Sequence, residues 1–255
     1  MGRALVEDVT VPGVAGGLAG RLIVPQAMGP RPAVIVLPEI DGLSQGTVAS
    51  ALRLAESGYV TLALDLYTPF GGAPPLRNRH DTEAWVRRLD DRRQVSDLAA
   101  ALAWLAGHSR VDAGRLAVMG FWAGGRYAAA LATEPHGVSA VVGFYFRPWP
   151  GGPLAGVALA PGDHVGGLRA PLCAVFGADD DLVPLPMVHR FEELLRNQPG
   201  LGHEVHVVEG GHYFANESRP RRFRADSTDL AWDLTLNFLE RRLVDDRQPA
   251  GPSPG

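Results

Sequence analysis

Val118-Met119-Gly120-Phe121-Trp122-Ala123-Gly124-Gly125 joins an apolar run to an Ala-rich one. Its frame is Gly-x-nucleophile-x-Gly, the sharp strand-to-helix turn that lifts a serine or cysteine to the top of a sheet. Here the tip of the turn is Trp122. Indole has an N–H donor and a π-face, but no group that attacks a carbonyl carbon. The frame therefore predicts a strand, a turn and a helix, while the residue at its tip removes the chemistry such a turn usually serves.

The pattern repeats outward from this turn. Short apolar runs bounded by Gly, Pro or charge fall at residues 33–37, 59–64, 116–119, 140–144, 172–176 and 204–208. Each reads as a strand buried on both faces. Helical patterns lie between and after them, at 47–56, 94–106, 126–133, 187–196 and 228–242, with Asp226 or Ser227 as the expected N-cap of the last. Residues 5–11 and 21–24 read as an antiparallel ribbon leading in. Strand-helix alternation of this kind predicts an α/β class: a single doubly wound, mostly parallel sheet with helices on both faces. Residues 1–244 form the predicted domain, and the Pro/Gly-rich 245–255 a disordered tail. Two stretches, 68–80 and 146–168, fit no regular element. Each follows a strand's C-terminal end, where open α/β sheets bind ligands.

Composition narrows the function class. The 255 residues suit one large α/β domain, and 46% hydrophobic with 20% charged residues is ordinary for a globular chain. A net charge of −4 gives no basic surface for nucleic acid or anionic lipid. No apolar run reaches the length of a membrane span, and the first residues lack a secretory pattern, so a cytoplasmic location is expected. All 24 basic residues are Arg, which excludes Schiff-base and P-loop lysine chemistry. The lone Cys173, inside an apolar run, reads as an inert core thiol, and a single cysteine is read as excluding both an internal disulfide and a Cys-based zinc site. The His and acid positions do not reach metal-ligand spacing on any one element, so neither metal nor cofactor is expected.

Four landmarks occur in order: Leu37-Pro38-Glu39-Ile40-Asp41-Gly42, the turn at Trp122, Gly177-Ala178-Asp179-Asp180-Asp181-Leu182-Val183-Pro184, and Gly210-Gly211-His212-Tyr213-Phe214-Ala215-Asn216. Nucleophile position, acid and histidine in that order is the arrangement of the α/β-hydrolase fold. The four segments together, across residues 5–243, resemble the dienelactone hydrolase family. That resemblance implies a Cys-His-Asp triad that opens small lactones and esters. It also implies a glutamate supporting the cysteine. Carried over by position, Glu39 is that glutamate, Asp180 the triad acid and His212 the base. The N–H groups of Ile40 and Ala123 would form the oxyanion hole, and Trp122 stands in place of the nucleophile.

Each residue also has a plain structural reading. His212 could be a loop histidine and Glu39 a solvated turn residue, but both follow strand ends that flank the expected crevice. Asp180 competes with Asp179 and Asp181, and the Asp-x-x-Val-Pro spacing selects it. Ser44 reads as a helix-leading turn residue and His189 as exposed. Tyr145, Arg147 and Tyr213 are candidates to face a substrate, with local packing as the alternative. The sequence thus favours acid–base chemistry by His212, Asp180 and Glu39 on a small apolar or aromatic carbonyl or lactone substrate, with Trp122 as a shape element. A catalytically silent binding protein and an ordinary esterase or lactonase stay open. Oligomeric state is not legible in the pattern.

Overall fold

The computed structural model describes residues 4–14, 16–151, 159–198 and 200–245. One eight-stranded sheet runs through it. The strands are β1 (Leu5–Gly13), β2 (Gly16–Val24), β3 (Arg31–Leu37), β4 (Val60–Leu64), β5 (Val111–Phe121), β6 (Ala140–Phe144), β7 (Leu172–Gly177) and β8 (Glu204–Val208). Their spatial order is β1-β2-β4-β3-β5-β6-β7-β8. β1 and β2 pair antiparallel, as does β2 with β4, and all later pairings are parallel. The fold is that of the α/β hydrolases, and the predicted class stands.

The order of the strands places the crevice. From β3 the chain crosses through α1 (Gln45–Glu56) to β4 on one side. From β5 it crosses through α4 (Ala123–Leu131) to β6 on the other. Right-handed crossovers in opposite directions put α1 and α4 on opposite faces. The final helix α6 (Ala225–Glu240) joins the α1 face, where Arg53 lies over the Trp232 ring at 4.9 Å and reaches Asp229 at 3.3 Å. α3 (Asp91–Ala106) packs with α4 on the far face, and α5 (Leu185–Arg196) crosses between β7 and β8. The reversal between β3 and β5 is the topological switch point, and Glu39 and Trp122 follow those two strands.

β3 and β4 are buried almost throughout, which is why they read as unbroken apolar runs. Four expectations need correction. The 68–80 stretch holds a 3-10 turn at Thr68–Phe70 and the start of α2 (Arg79–Val86), capped by Asn78. Few apolar residues mark that helix, so periodicity misses it. α6 begins at Ala225 with Arg224 as N-cap and no capping side chain, rather than at Asp226 or Ser227. β5 runs from Val111 to Phe121 through polar Asp112 and Arg115, well beyond the apolar run at its end. The 146–168 stretch contains 3-10 turns at Pro161–Asp163 and Val165–Gly167, while 152–158 and the tail from 246 lie outside the described residues. No helix among the described residues is long and apolar enough to cross a membrane.

Candidate active site

The turn after β5 has the backbone of an elbow. Trp122 takes φ 48° and ψ −109°, a region that costs an L-residue roughly 1–3 kcal/mol. Its N–H donates to Phe144 O at 3.0 Å, and its carbonyl accepts from Arg126 N at 3.2 Å. The glycines of the motif explain how the turn closes. A Cβ on Gly120 would lie 2.2 Å from the Gly124 carbonyl carbon. A Cβ on Gly124 would lie 2.5 Å from Pro38 O. Strand, elbow and helix can approach this closely only without side chains at both positions. Among the described residues, Trp122, Tyr145 (φ 37°) and Tyr213 (φ 70°) are the non-glycines with positive φ. All three rings surround His212, with centroids 6.5, 5.3 and 4.2 Å from the imidazole. The strained backbone is concentrated around that one side chain.

His212 follows β8 and Asp180 follows β7, so neighbouring strand ends bring them together. Nδ1 of His212 lies 2.7 Å from Oδ2 of Asp180, with both side chains buried. The other oxygen of Asp180 accepts from Leu182 N at 2.8 Å and Val183 N at 2.9 Å. Those bonds fix the carboxylate, and the carboxylate fixes the ring and places the Nδ1 proton toward itself. Asp181 is exposed and lies 3.8 Å from Arg222. Nε2 of His212 is buried and has no hydrogen-bond partner among the described residues. The His212 residue lines a cavity of about 290 Å³ together with Trp122, Arg147, Tyr213 and Val86. That volume is at the small end for a ligand site.

Glu39 sits on a different surface of the same crevice. It lines a cavity of about 110 Å³ with Asp41, Ser44, Phe121, Tyr145 and Trp232, and His212 is not part of that lining. Tyr145 stands between the two, donating its hydroxyl to Glu39 Oε1 at 2.7 Å while its ring contacts the imidazole. Tyr67 holds the Glu39 carbonyl at 3.0 Å. Oε2 has no well-formed hydrogen bond among the described residues, and Arg219 Nε is 3.9 Å away. Burial dominates and raises the Glu39 pKa from 4.5 to about 7, against the opposing pull of the Tyr145 hydroxyl. The carboxyl thus exchanges a proton near neutrality. Sequence reasoning missed Tyr67 and Arg219; both come from loops whose polarity gives no sign of a buried target.

The other candidates fall as follows. Ala123 borders a third space of about 20 Å³, also lined by Trp122, with room for roughly one water. Ile40 is buried. Ser44 caps α1, accepting from Thr47 N at 3.3 Å, and His189 is exposed on α5. Cys173 is buried in β7, and desolvation pushes its thiol far above the usual range, so it supplies no resting thiolate.

The sequence profile of the dienelactone hydrolase family matches residues 18–243. The chain belongs to this family. A Bradyrhizobium relative named as a 2-oxo-3-(5-oxofuran-2-ylidene)propanoate lactonase is 32% identical over 88% of this chain and 89% of its own length. A Methylorubrum extorquens protein named as a carboxymethylenebutenolidase is 30% identical over 93% of this chain and 81% of its own length. Among solved structures, a dienelactone hydrolase from Klebsiella pneumoniae superposes with a TM-score of 0.83 at 25% identity, covering 94% of this chain and all (100%) of that one. Dienelactone hydrolase family membership and these names together support a hydrolase-like enzyme acting on small molecules.

Proposed function

We propose that the protein is a dienelactone-hydrolase-family enzyme that works by proton transfer through His212, without a covalent intermediate. The observation that carries this reading is the buried, unpartnered Nε2 of His212, a residue that lines the cavity, while Asp180 holds the other nitrogen. An imidazole fixed in that tautomer and left unpaired is costly unless a water or substrate group completes it. Trp122 supplies no nucleophile and forms one wall of that cavity. A small lactone or aromatic carbonyl substrate fits the aromatic lining and the lactonase names of the relatives. His212 then either activates water toward the carbonyl or moves a proton in an isomerisation, cyclisation or elimination. Glu39, ionising near pH 7 and linked through Tyr145, is the second proton-exchanging group. Ile40 and Ala123 keep their family roles as N–H donors to a developing oxyanion. Arg147 and Tyr213 orient the substrate.

The test is turnover of aryl esters and small lactones. Activity lost in His212→Ala and kept in Trp122→Phe supports the proposal. A covalent acyl-enzyme trapped on the wild type sinks it. A silent, ligand-binding role is the second reading, favoured by the single-water space beside Ala123. Absence of any turnover with intact ligand binding would select it.

A further inference from the structure

The outer edge of the sheet brings together three side chains of metal-ligating type that no single element contains. Cys173 on β7 and Glu204 on β8 are register partners in parallel strands, so their side chains share a face. His206 follows Glu204 by two residues and returns to that face. The thiol of Cys173, a carboxylate oxygen of Glu204 and a ring nitrogen of His206 all lie within 4.8 Å of one another. His206 Nε2 and Glu204 Oε2 are 3.1 Å apart. Two ligands of one tetrahedral zinc ion, each about 2.0–2.1 Å from it, are separated by roughly 3.3 Å, so this pair is already spaced for a shared ion. The thiol needs about an ångström of closure, within reach of side-chain rotation.

We propose that Cys173, Glu204 and His206 form a site for a divalent, borderline-soft transition-metal ion of the zinc type, with a fourth position left to water. The donor set decides the class. One sulfur, one imidazole nitrogen and one carboxylate oxygen suit zinc or cobalt, and are a poor set for magnesium or calcium, which take oxygen ligands. The surroundings fit as well. Cys173 is fully buried, while the Glu204 and His206 side chains are 24% and 25% exposed, so the ion would be seated on the sulfur and reached from solvent. Arg241 donates to Oε1 of Glu204 at 2.7 Å. That bond orients the carboxylate and leaves Oε2 toward His206, as an outer partner of a metal ligand does. On binding, the Cys173 thiol releases its proton to solvent and its sulfur lone pair forms the bond to the ion; no redox change is involved. The ion would join β7 to β8, the strand that leads into the His212 loop. The site is independent of the reaction proposed above.

The full-length protein, treated with a chelator and dialysed, is titrated with cobalt(II) and then zinc(II). Cys173 is the single cysteine of the sequence, so a thiolate-to-cobalt charge-transfer band in the near-ultraviolet reports this site alone. The expected result is a band that saturates at one ion per chain and is displaced by zinc. It should be absent in Cys173→Ser. His206→Gln, a change at a partly exposed position, should weaken binding by 10-fold or more. Absence of the band at saturating cobalt overturns the proposal. So does unchanged affinity in a folded His206→Gln protein, which would leave His206, Glu204 and Arg241 as a plain charge network.

Discussion

Replacing Trp122 by Cys puts a nucleophile at the tip of an elbow whose backbone is already formed. The indole-to-thiol change removes about 120 Å³ of side chain, and at roughly 24 cal/mol per Å³ of cavity that costs about 3 kcal/mol. This is an upper bound, because Trp122 borders the His212 cavity and water can fill the space. In a chain of 255 residues, such a loss lowers the midpoint of thermal unfolding by roughly 6–12 °C. The φ of 48° adds nothing to the cost, since the wild type already bears it. The gain should be chemical. A thiol beside an imidazole that Asp180 orients becomes a thiolate nucleophile, and activated aryl esters should turn over on the order of 10²-fold faster than with wild type. Intact-mass spectrometry of rapidly quenched samples should show an acyl adduct, mapped by peptide digestion to the introduced thiol. Trp122→Ala is the control, because it opens the same space without a nucleophile. A folded Trp122→Cys protein with the expected thermal midpoint, no adduct and the rate of the Ala variant would refute the reasoning. His212 would then not be aimed at the elbow tip, and the acid–base reading would lose its footing.

Asp180→Asn should keep the backbone bonds from Leu182 and Val183 while turning an amide N–H₂ toward His212 Nδ1. The imidazole proton then moves to Nε2, and turnover should fall by about 10²–10⁴-fold with the fold retained, as checked by circular dichroism. Glu39→Gln tests the buried carboxyl through stability. Between pH 4.5 and about 7 the folded chain holds a proton that the unfolded chain has released. Stability of the wild type therefore falls as pH rises through that window, by roughly 3 kcal/mol in all. The variant lacks this loss, so its thermal midpoint should gain on wild type from pH 5 to about pH 7 and level off above it; parallel curves would contradict the raised pKa. Tyr145→Phe removes the hydroxyl that stabilises the Glu39 anion, and an NMR titration of the carboxyl should move to still higher pH. Gly124→Ala should give little folded protein in a solubility assay, because its Cβ meets Pro38 O at 2.5 Å with backbone on both sides.

The sheet was legible because its central strands are buried on both faces and admit almost nothing polar. The pairing of His212 with Asp180 was legible for a related reason. Both follow parallel strands that end at one edge of the sheet, so chain order stands in for proximity. The relation of Glu39 to His212 was not. Which cavity each side chain lines depends on the Tyr145 ring between them, and ring placement leaves no periodic trace. The shift in the Glu39 carboxyl is equally hidden, since desolvation belongs to the folded neighbourhood and not to Pro38-Glu39-Ile40. The cluster of Cys173, Glu204 and His206 escaped, and the cysteine count argued against any Cys-based zinc site, because counting and spacing along one element cannot detect a cross-strand partner. Helix α2 escaped because its residues alternate charge and polarity with few apolar anchors.

The elbow's geometry belongs to its neighbours: Gly120, Gly124 and Pro38 set the turn whatever side chain stands at position 122. Such a position behaves as a socket. Exchanging its occupant alters the chemistry at the crevice while the architecture that holds it stays in place. The codons for tryptophan and cysteine differ by a single third-position base, so the two occupants are one point mutation apart. On the reading proposed above, that one exchange should install a nucleophile without refolding any element, and laboratory selection for esterase activity should find that codon early.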